Sequence, residues 1–422
     1  MTIEEVEVLI IGAGPSGSVA AGYLHKNNVK IKVIEKTLFP RIVVGESLIP
    51  RVMDHYAEGG LLDALDSQGF EKKFGARFIR GEEICMFDFS NKFGEGWDWT
   101  WQIPRAEFDY VGTQELIRKG VDIEFESEVV ATAFEGVNST TTVRMKNGEL
   151  KQIKAKFLID ASGYGRVLPR LLELDEPSQL SPHSAIFTHV LDVNRPEGVE
   201  GTQISFDILQ TDVWLWVIPF SNGNTSVGIV GPTAFINSLS DHSDTAEALQ
   251  KAIQLSEFYI NRFGNLPFVF QPKKLTNYSA AVKKMYGEGY TLTGNSSEFL
   301  DPVFSSGVCF ATESGILSAK LALRQLRGEV IDWEREYSDY MKDGIAVFTT
   351  YVKEWYTGNL QTLFFHQPEN PDVKRKICAV LAGYVWNQEN SFVKKHDRVI
   401  RNMAYMINNN KELMDYIKED NL

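Results

Sequence analysis

The chain has 422 residues, of which 43% are hydrophobic and 23% charged, and it carries a formal net charge of −13 at pH 7. This length favours two lobes over one core, and the negative charge argues against nucleic acid or an anionic membrane as partner. Three widely spaced cysteines and seven scattered histidines predict neither disulfides nor a metal site. The acidic start runs directly into a strand, and no apolar run approaches about 18 residues. We therefore expect a cytoplasmic protein without a signal peptide or a membrane anchor.

A glycine-rich turn lies between a predicted strand and a predicted helix near the start of the chain. Residues 6–11 have the apolar, β-branched character of a strand buried on both faces, and residues 18–25 read as a helix. The residues between them match G-x-G-x-x-G, and a second strand, 31–34, ends at an acidic residue suitably spaced to bind ribose hydroxyls. In this context the turn predicts a dinucleotide site that prefers a free 2′-hydroxyl. The residues that we assign to it are Gly12, Gly14, Pro15, Ser16, Gly17, Glu35 and Lys36.

Two later segments favour FAD over NAD. Residues 157–163 form an apolar strand that ends in D-A-S-G, and residues 291–295 form a strand that runs into a glycine-containing loop. Both resemble flavin-contacting segments of the FAD monooxygenase superfamily that includes para-hydroxybenzoate hydroxylase. The resemblance implies that Asp160, Gly163, Gly294 and Asn295 contact FAD. Asn295 stands where the superfamily usually has Asp, which removes a charge but keeps a hydrogen-bonding group.

Two further runs resemble a narrower group of flavoproteins. Residues 39–50 contain F-P-R followed by G-E-S-L-I-P, and residues 102–109 read Q-I-P-R-A-E-F-D. This pattern is similar to that of flavin-dependent halogenases and geranylgeranyl-reductase-like flavoproteins, and the likeness covers roughly residues 5–320. It implies that the cofactor site also includes Arg41, Glu46, Ser47 and Arg105.

A W-x-W-x-I-P hexapeptide at 214–219 resembles the halogenase signature, whereas the reductase relatives tend to carry an aromatic–x–Trp–x–Phe–Pro version. The same letters recur at 99–104, and on a strand such residues are also ordinary packing residues ended by a proline. The resemblance implies that the bulk of the copy at 214–219 separates flavin from substrate and suppresses direct hydroxylation. The residues concerned are Trp214, Trp216, Ile218 and Pro219.

The run D-P-V-F-S-S-G-V at 301–308 resembles a loop of halogenases that act on phenols and pyrroles. The likeness implies that backbone amides around Ser306 and Gly307 hold chloride beside the flavin, which is sound for amides at a helix start. It also implies cofactor contacts for Asp301, Gly307 and Val308. Tryptophan halogenases carry a glutamate nearby, and residues 304–307 contain none, which argues against free tryptophan as substrate.

Lys73 begins a K-F-G-A run that resembles the K-x-G-A run with the catalytic lysine of these halogenases. A lysine can donate a hydrogen bond to hypohalous acid or, as the free amine, form a haloamine, and burial lowers its pKa towards this use. The alternative is that Lys72 and Lys73 form a solvated pair on a surface turn.

The predicted fold class is α/β, with a Rossmann-type FAD-binding lobe, an interleaved antiparallel β-sheet substrate lobe and a helical C-terminal region. We assign 1–75, 105–175 and 275–325 to the FAD lobe, 76–104 and 176–274 to the sheet lobe, and 326–422 to the helical region. Within the sheet lobe, residues 222–224 predict a hairpin turn and residues 245–263 a single helix.

These features predict an FAD-dependent oxidoreductase of the halogenase type, which uses reduced FAD, O2 and chloride or bromide on a phenol or pyrrole. A separate flavin reductase is expected because there is no second nucleotide fingerprint, and the substrate is free or tethered to a carrier protein. Three alternatives remain open: a C=C reductase or dehydrogenase with a lipid substrate, an aromatic monooxygenase, and a flavin-binding protein without catalysis.

Overall fold

A computed structural model describes residues 3–240, 244–366 and 371–419. Its strands, in chain order, are β1 (Ile3–Ile11), β2 (Ile31–Ile34), β3 (Glu71–Lys73), β4 (Gly75–Arg80), β5 (Glu83–Asp88), β6 (Thr100–Gln102), β7 (Asp122–Glu124), β8 (Glu128–Glu135), β9 (Asn138–Arg144), β10 (Leu150–Asp160), β11 (Asp175–Glu176), β12 (His183–Leu191), β13 (Ser205–Gln210), β14 (Val213–Pro219), β15 (Asn224–Pro232), β16 (Lys273–Thr276), β17 (Ala281–Val282), β18 (Tyr286–Gly287) and β19 (Tyr290–Leu292).

The helices, in chain order, are α1 (Pro15–Lys26), α2 (Val52–Glu58), α3 (Leu62–Asp66), α4 (Arg105–Arg118), α5 (Val167–Leu171), α6 (Val199–Thr202), α7 (Thr233–Ser238), α8 (Thr245–Gln254), α9 (Ile260–Phe263), α10 (Ser306–Leu326), α11 (Tyr340–Tyr356), α12 (Asn359–Phe365), α13 (Pro371–Leu381), α14 (Ser391–Lys394) and α15 (His396–Glu419). A π-helical segment, Glu334–Asp339, leads into α11. Among the described helices none is long and apolar enough to span a membrane.

The chain divides into two compact units. The first holds the described residues of Met1–Phe70, Ile103–Gln179 and Ser279–Asp343, and the second those of Glu71–Gln102, Leu180–Tyr278 and Gly344–Leu422. The sequence-based boundary at residue 75 assigns Lys73 to the FAD lobe, whereas the structure groups it with the second unit. The helical region 326–422 is shared between the units, because its residues up to 343 belong to the first.

A mixed sheet forms the centre of the first unit. Its strand order is β18-β19-β10-β1-β2-β7, and the hairpin of β8 and β9 joins it through β10. The central strand β1 pairs in parallel with both β10 and β2, and its residues Val8, Leu9 and Ile10 are fully buried. The apolar run at 6–11 is therefore a strand buried on both faces, as predicted, and the glycine-rich turn follows it at the carboxyl edge of the sheet.

A seven-stranded sheet forms the centre of the second unit, in the order β16-β12-β15-β14-β13-β4-β5. Its pairs are antiparallel except for β13 with β4, which is parallel. The hairpin predicted at 222–224 joins β14 to β15. The α/β class, with a dinucleotide-type sheet, an antiparallel sheet and helices near the C-terminus, is thus confirmed.

The single helix predicted over 245–263 is wrong. The structure has two helices, α8 and α9, with a break at residues 255–259. In the break, the Ser256 hydroxyl donates to the Asp207 carboxylate (2.5 Å) and accepts from the Tyr259 amide (2.9 Å). A serine that hydrogen-bonds outside the helix competes with helical pairing, so the polar partner on β13 ends α8.

Candidate active site

Steric limits fix the glycine-rich turn of the first unit. Gly12 has φ +99°, and a Cβ there would lie 2.5 Å from the Ala161 carbonyl oxygen. A Cβ on Gly17 would overlap the carbonyl oxygen of Gly12. Helix α1 then begins at Pro15 without a side-chain cap, which leaves its first-turn amides for a ligand. This turn has the free amides and open backbone that a pyrophosphate needs.

Glu35 lies beside this turn, immediately after β2. Its carboxylate accepts hydrogen bonds from the Ala13 amide (2.9 Å) and from the amide and hydroxyl of Thr37 (2.9 and 2.7 Å). It is buried and held next to the glycines, as ribose binding would require. Lys36 is 68% exposed and pairs with Glu128 (2.8 Å), so its observed role is a surface ion pair.

Arg41 presents a partly buried cation to the glycine-rich turn. Its Nη2 lies 3.6 Å from the position that a Cβ on Gly14 would occupy. Its Nη1 lies 3.4 Å from the Asp109 carboxylate and makes no hydrogen bond to any described residue. Burial lowers the pKa of Arg41, so an anion beside it would be stabilising. An unsatisfied guanidinium next to free helix amides fits the pyrophosphate of FAD.

Three of the sequence runs meet at Gly45, which has φ +100°. A Cβ there would lie 2.9 Å from Arg105 Nη1 and 3.4 Å from Val308 Cγ2. Arg105 is itself held by a bidentate pair with Asp109 (2.9 and 2.8 Å) and donates to the Val44 carbonyl (2.8 Å). The G-E-S, Q-I-P-R and D-P-V-F-S-S-G-V runs therefore form one packed arrangement within the first unit.

Glu46 and Ser47, the next residues of the G-E-S run, are buried. The Glu46 carbonyl accepts from the Ile103 amide (2.8 Å). Asp109 was not among the predicted site residues. Its signal was the spacing from Arg105, since residues four apart on a helix face each other and can pair.

Asp160 supports the backbone at the end of β10. Its carboxylate accepts from the amides of Ser162 (2.9 Å) and Leu168 (2.7 Å), and burial raises its pKa. Its carbonyl oxygen accepts from the Thr293 amide (2.8 Å) and the Ser296 hydroxyl (2.6 Å). These bonds join the D-A-S-G turn to the G-N-S-S turn.

Two glycines with positive φ lie in these turns, Gly163 at +58° and Gly294 at +55°. The carbonyl oxygen of Asn295 accepts from Arg166 Nη1 (3.0 Å). Ser16, from the glycine-rich turn, donates to Thr293 Oγ1 (2.7 Å). The cofactor contacts predicted for Asp160, Gly163, Gly294 and Asn295 stay predictions, but the segments that carry them adjoin the glycine-rich turn.

The D-P-V-F-S-S-G-V loop ends in the first turn of α10. The Asp301 carboxylate caps a 3-10 turn by accepting from the Val303 amide (2.9 Å), and Ser305 has φ +56°. Helix α10 begins at Ser306 without a side-chain cap. A Cβ on Gly307 would lie 3.0 Å from the Phe299 ring, a tight contact that the ring would have to relieve by a small shift. The loop leaves backbone amides available where the resemblance implies a halide.

Lys73 lies at the end of β3 in the second unit and is only 2% exposed. Burial lowers its pKa to about 7. Its Nζ lies 5.6 Å from the centre of the Phe89 ring. The alternative of a solvated lysine pair is therefore wrong for Lys73, although Lys72 is exposed and lies over the Trp99 ring (4.2 Å).

The glycine of the K-F-G-A run that begins at Lys73 is required sterically. A Cβ on Gly75 would overlap the Phe87 carbonyl oxygen, and the Phe89 amide donates to the Phe74 carbonyl (2.8 Å). The backbone on the C-terminal side of Lys73 is thus fixed against the end of β5.

The hexapeptide at 214–219 is the strand β14. Val213, Leu215 and Val217 belong to the apolar core of the sheet. The indoles of Trp214 and Trp216 point to the opposite face, with ring centres 6.1 Å apart, as strand alternation requires.

Both indoles are buried and hydrogen-bonded. Trp214 Nε1 donates to Tyr356 Oη (3.3 Å), and Trp216 Nε1 donates to Ser226 Oγ (3.0 Å). Ile218 is also buried, and the Pro219 carbonyl accepts from Gln102 Nε2 (2.6 Å). These residues are packed components of the second unit, and their substrate-side role stays a prediction. Among the residues that the structure describes, no cluster of His, Cys, Asp or Glu could hold a metal ion.

Comparison with known proteins shows the family of this chain and the proteins that it resembles. Residues 5–257 match the model of the FAD binding domain family. A 1H-pyrrole-2-carbonyl-(peptidyl-carrier protein) chlorinase of Pseudomonas fluorescens is 28% identical and covers 92% of this chain and 91% of its own. The corresponding brominase of Pseudoalteromonas luteoviolacea is 27% identical over 91% of this chain and 93% of its own.

A solved structure, a flavoprotein/dehydrogenase from Cytophaga hutchinsonii, is 47% identical with a TM-score of 0.94, and the match covers 97% of this chain and 100% of that one. The match to the family model and the uncapped start of α1 in the glycine-rich turn agree on the cofactor. The expected FAD cofactor and flavoprotein fold are confirmed. The chain belongs to the FAD binding domain family and is an FAD-dependent oxidoreductase.

Proposed function

We propose that this enzyme halogenates an electron-rich aromatic substrate, a phenol or a pyrrole, with FAD, O2 and chloride or bromide. The observation that carries the proposal is Lys73, a fully buried lysine whose pKa is lowered to about 7. Burying a lysine is expensive because its ammonium group loses its hydration, so a chemical role gives a reason to keep Lys73 buried. The two curated relatives, whose names describe a chlorinase and a brominase, agree with this reading.

The cofactor would be held by the first unit. Arg41 and the amides at the start of α1 would hold the pyrophosphate, and Glu35 would bind ribose hydroxyls. Bound FAD, reduced by a separate flavin reductase, would supply hypohalous acid from O2 and halide. The amides at Ser306 and Gly307 would bind the halide. The carboxylate of Asp109 keeps Arg105 fixed in the same region.

Lys73 has two chemical options near neutral pH, since a pKa of about 7 populates both of its protonation states. As the ammonium it donates a hydrogen bond to the oxygen of hypohalous acid, which weakens the oxygen–halogen bond. As the amine it forms a haloamine, with water released as the nitrogen–halogen bond forms. Either form directs an electrophilic halogen to the arene and releases it only beside the lysine.

A pyrrole-2-carbonyl group on a carrier protein is the first substrate to test. The curated relatives are named for that substrate, and they match more than nine-tenths of this chain. The absence of glutamate from residues 304–307 supports a phenol or pyrrole rather than free tryptophan.

The test supplies the full-length protein with FAD, a flavin reductase, NADH, and chloride or bromide. Substrates are a phenol panel and pyrrole-2-carbonyl groups, free and on a carrier protein, with products read by mass spectrometry. We expect halogenated product from wild type and none from Lys73→Ala, with flavin reoxidation unchanged in both. Lys72→Ala, the exposed neighbour, is the matched control and should keep activity. Hydroxylated or unchanged substrates from wild type would overturn the proposal.

A second candidate is dehydrogenation or reduction of a C=C bond. It is favoured by the solved structure at 47% identity, which is described as a flavoprotein/dehydrogenase. The same assay with halide omitted and a saturated or unsaturated lipid added as substrate separates the two, because a dehydrogenase or reductase would turn over the lipid with no halide requirement. Such turnover, unaffected by Lys73→Ala, would favour this candidate.

A further inference from the structure

Thr100 is a buried residue with an unused hydroxyl directly opposite Lys73. Strands β3 and β6 form a two-stranded antiparallel ribbon in which Lys73 pairs with Thr100. Thr100 is fully buried, and within the described part of the chain its Oγ1 has no hydrogen-bond partner. Buried hydroxyls almost always have a partner, so one without needs an explanation.

Packing does not explain this hydroxyl. A valine has nearly the same shape and would suit a strand equally well, without a polar atom to desolvate. Strand alternation places Lys73 and Thr100 on one face of the ribbon and Trp101 on the other. The indole row of residues 97, 99 and 101, whose neighbouring rings lie 5.7 Å apart, therefore does not occupy the side where the hydroxyl points.

The geometry points to a ligand shared with Lys73. Side chains of directly paired residues have Cβ atoms about 4.5–5.5 Å apart, and both point to the same side. A lysine Nζ extends farther from its backbone than a threonine hydroxyl does, so a small molecule can bond to both without direct contact between them. Each group offers what hypohalous acid requires: Lys73 is a donor, and Thr100 Oγ1 is a free acceptor.

We propose that Thr100 Oγ1 is the second binding group for hypohalous acid and, together with Lys73, fixes the direction of its halogen. The proposal rests on the proposed function of Lys73. The oxygen of the acid accepts from Lys73 Nζ, and its O–H donates to Thr100 Oγ1. The halogen is then the one end that neither residue holds, and it is presented to the arene.

The step balances. The arene carbon bonds to the halogen as the oxygen–halogen bond breaks, and the oxygen takes a proton from the Lys73 ammonium and leaves as water. The ring proton then passes to the Lys73 amine and restores the ammonium. Thr100 neither gains nor loses a proton, so it acts by binding and orientation.

The test compares Thr100→Val, which keeps the shape, with Thr100→Ser, which keeps the hydroxyl. Turnover is measured as halogenated product per flavin reoxidised. Loss of one hydrogen bond predicts a fall of roughly tenfold for Thr100→Val. Thr100→Ser should stay within about twofold of wild type. The halogenated ring position should become less selective in Thr100→Val alone.

A second measurement does not depend on turnover. The full-length protein with FAD bound is treated with stoichiometric hypochlorous acid, and chlorination of Lys73 is followed by peptide mass spectrometry. Because the proposed orientation turns the halogen away from Lys73 Nζ, Thr100→Val should raise chlorination of Lys73 roughly tenfold, and Thr100→Ser should leave it near the wild-type level. If wild type makes no halogenated product but this dependence holds, the proposed function fails and the Thr100 assignment stands.

The control is Thr188→Val, because Thr188 is equally buried but donates to the Phe270 carbonyl (2.6 Å). It should lose stability in urea unfolding and chlorinate Lys73 at the wild-type rate. Thr100→Val, in contrast, loses no protein hydrogen bond and should be at least as stable as wild type. Equal Lys73 chlorination in wild type and Thr100→Val would overturn the proposal. So would a Thr100→Ser variant whose halogenation turnover falls as far as that of Thr100→Val.

Discussion

Replacing Lys73 by methionine should stabilise the protein in a pH-dependent way. Burial lowers the pKa of Lys73 from its ordinary 10.5 to about 7. At 1.36 kcal/mol per pKa unit, that shift corresponds to about 5 kcal/mol of folding free energy. Methionine keeps the length and flexibility of the side chain without the charge, so Lys73→Met should recover on the order of 4 kcal/mol at pH 7.

The sign of the pH dependence follows from proton binding. Between pH 7 and 10.5 the unfolded chain holds a proton on Lys73 that the folded protein has released, so wild-type stability rises with pH across this window. The advantage of Lys73→Met should be largest below pH 7, where both states are protonated, and should vanish near pH 10.5. Urea unfolding at pH 6, 7, 8, 9 and 10 measures it, with Lys72→Met as the exposed control. Equal stability of wild type and Lys73→Met at every pH would refute the conclusion that burial lowers the pKa of Lys73.

Three further changes test other parts of the structure. Gly228→Ala places a Cβ into the Trp216 indole and should cost about 1–3 kcal/mol in urea unfolding, with the loss recovered by a smaller residue at Trp216. Arg41→Ala removes the unsatisfied guanidinium and should weaken FAD binding by tenfold or more in a fluorescence titration, with activity restored by excess FAD. Glu313→Gln leaves His55 without its carboxylate partner and should cost about 3–5 kcal/mol at pH 7. Because the pKa of Glu313 is about 2, its stabilisation is complete above about pH 4.5 and fades towards pH 2, so this loss should shrink in acid.

The FAD-binding unit could be predicted from sequence because its rules are local. Gly12 and Gly17 are required by contacts within a few residues or with the adjoining strand. Steric rules of this kind hold wherever a strand, a tight turn and a helix follow one another, so the spacing of the glycines was sufficient. Arg41 needed the family resemblance, since nothing near it in sequence shows that it reaches the turn.

The features that could not be predicted from the sequence depend on partners that lie far apart in the chain. The break between α8 and α9 comes from Asp207, which lies 49 residues before Ser256. The burial of Lys73 was left open, because two adjacent lysines read equally well as a solvated turn. Thr100 carries no sequence signal at all: only the register of β3 with β6 shows that it lies opposite Lys73.

The two copies of W-x-W-x-I-P illustrate how structure changes the meaning of a motif. By its letters the copy at 99–104 only weakens the evidence from the copy at 214–219. In the folded second unit, however, Gln102 of one copy donates to the Pro219 carbonyl of the other (2.6 Å) and accepts from the Ile204 amide (2.7 Å). Gln102 is also on β6, two residues from Thr100, so this pair of bonds ties the ribbon that carries Lys73 to the end of β14. Under the roles proposed for Lys73 and Thr100, the hexapeptide at 214–219 would contribute through its backbone, because the Pro219 carbonyl helps to fix the strand on which Thr100 faces the lysine.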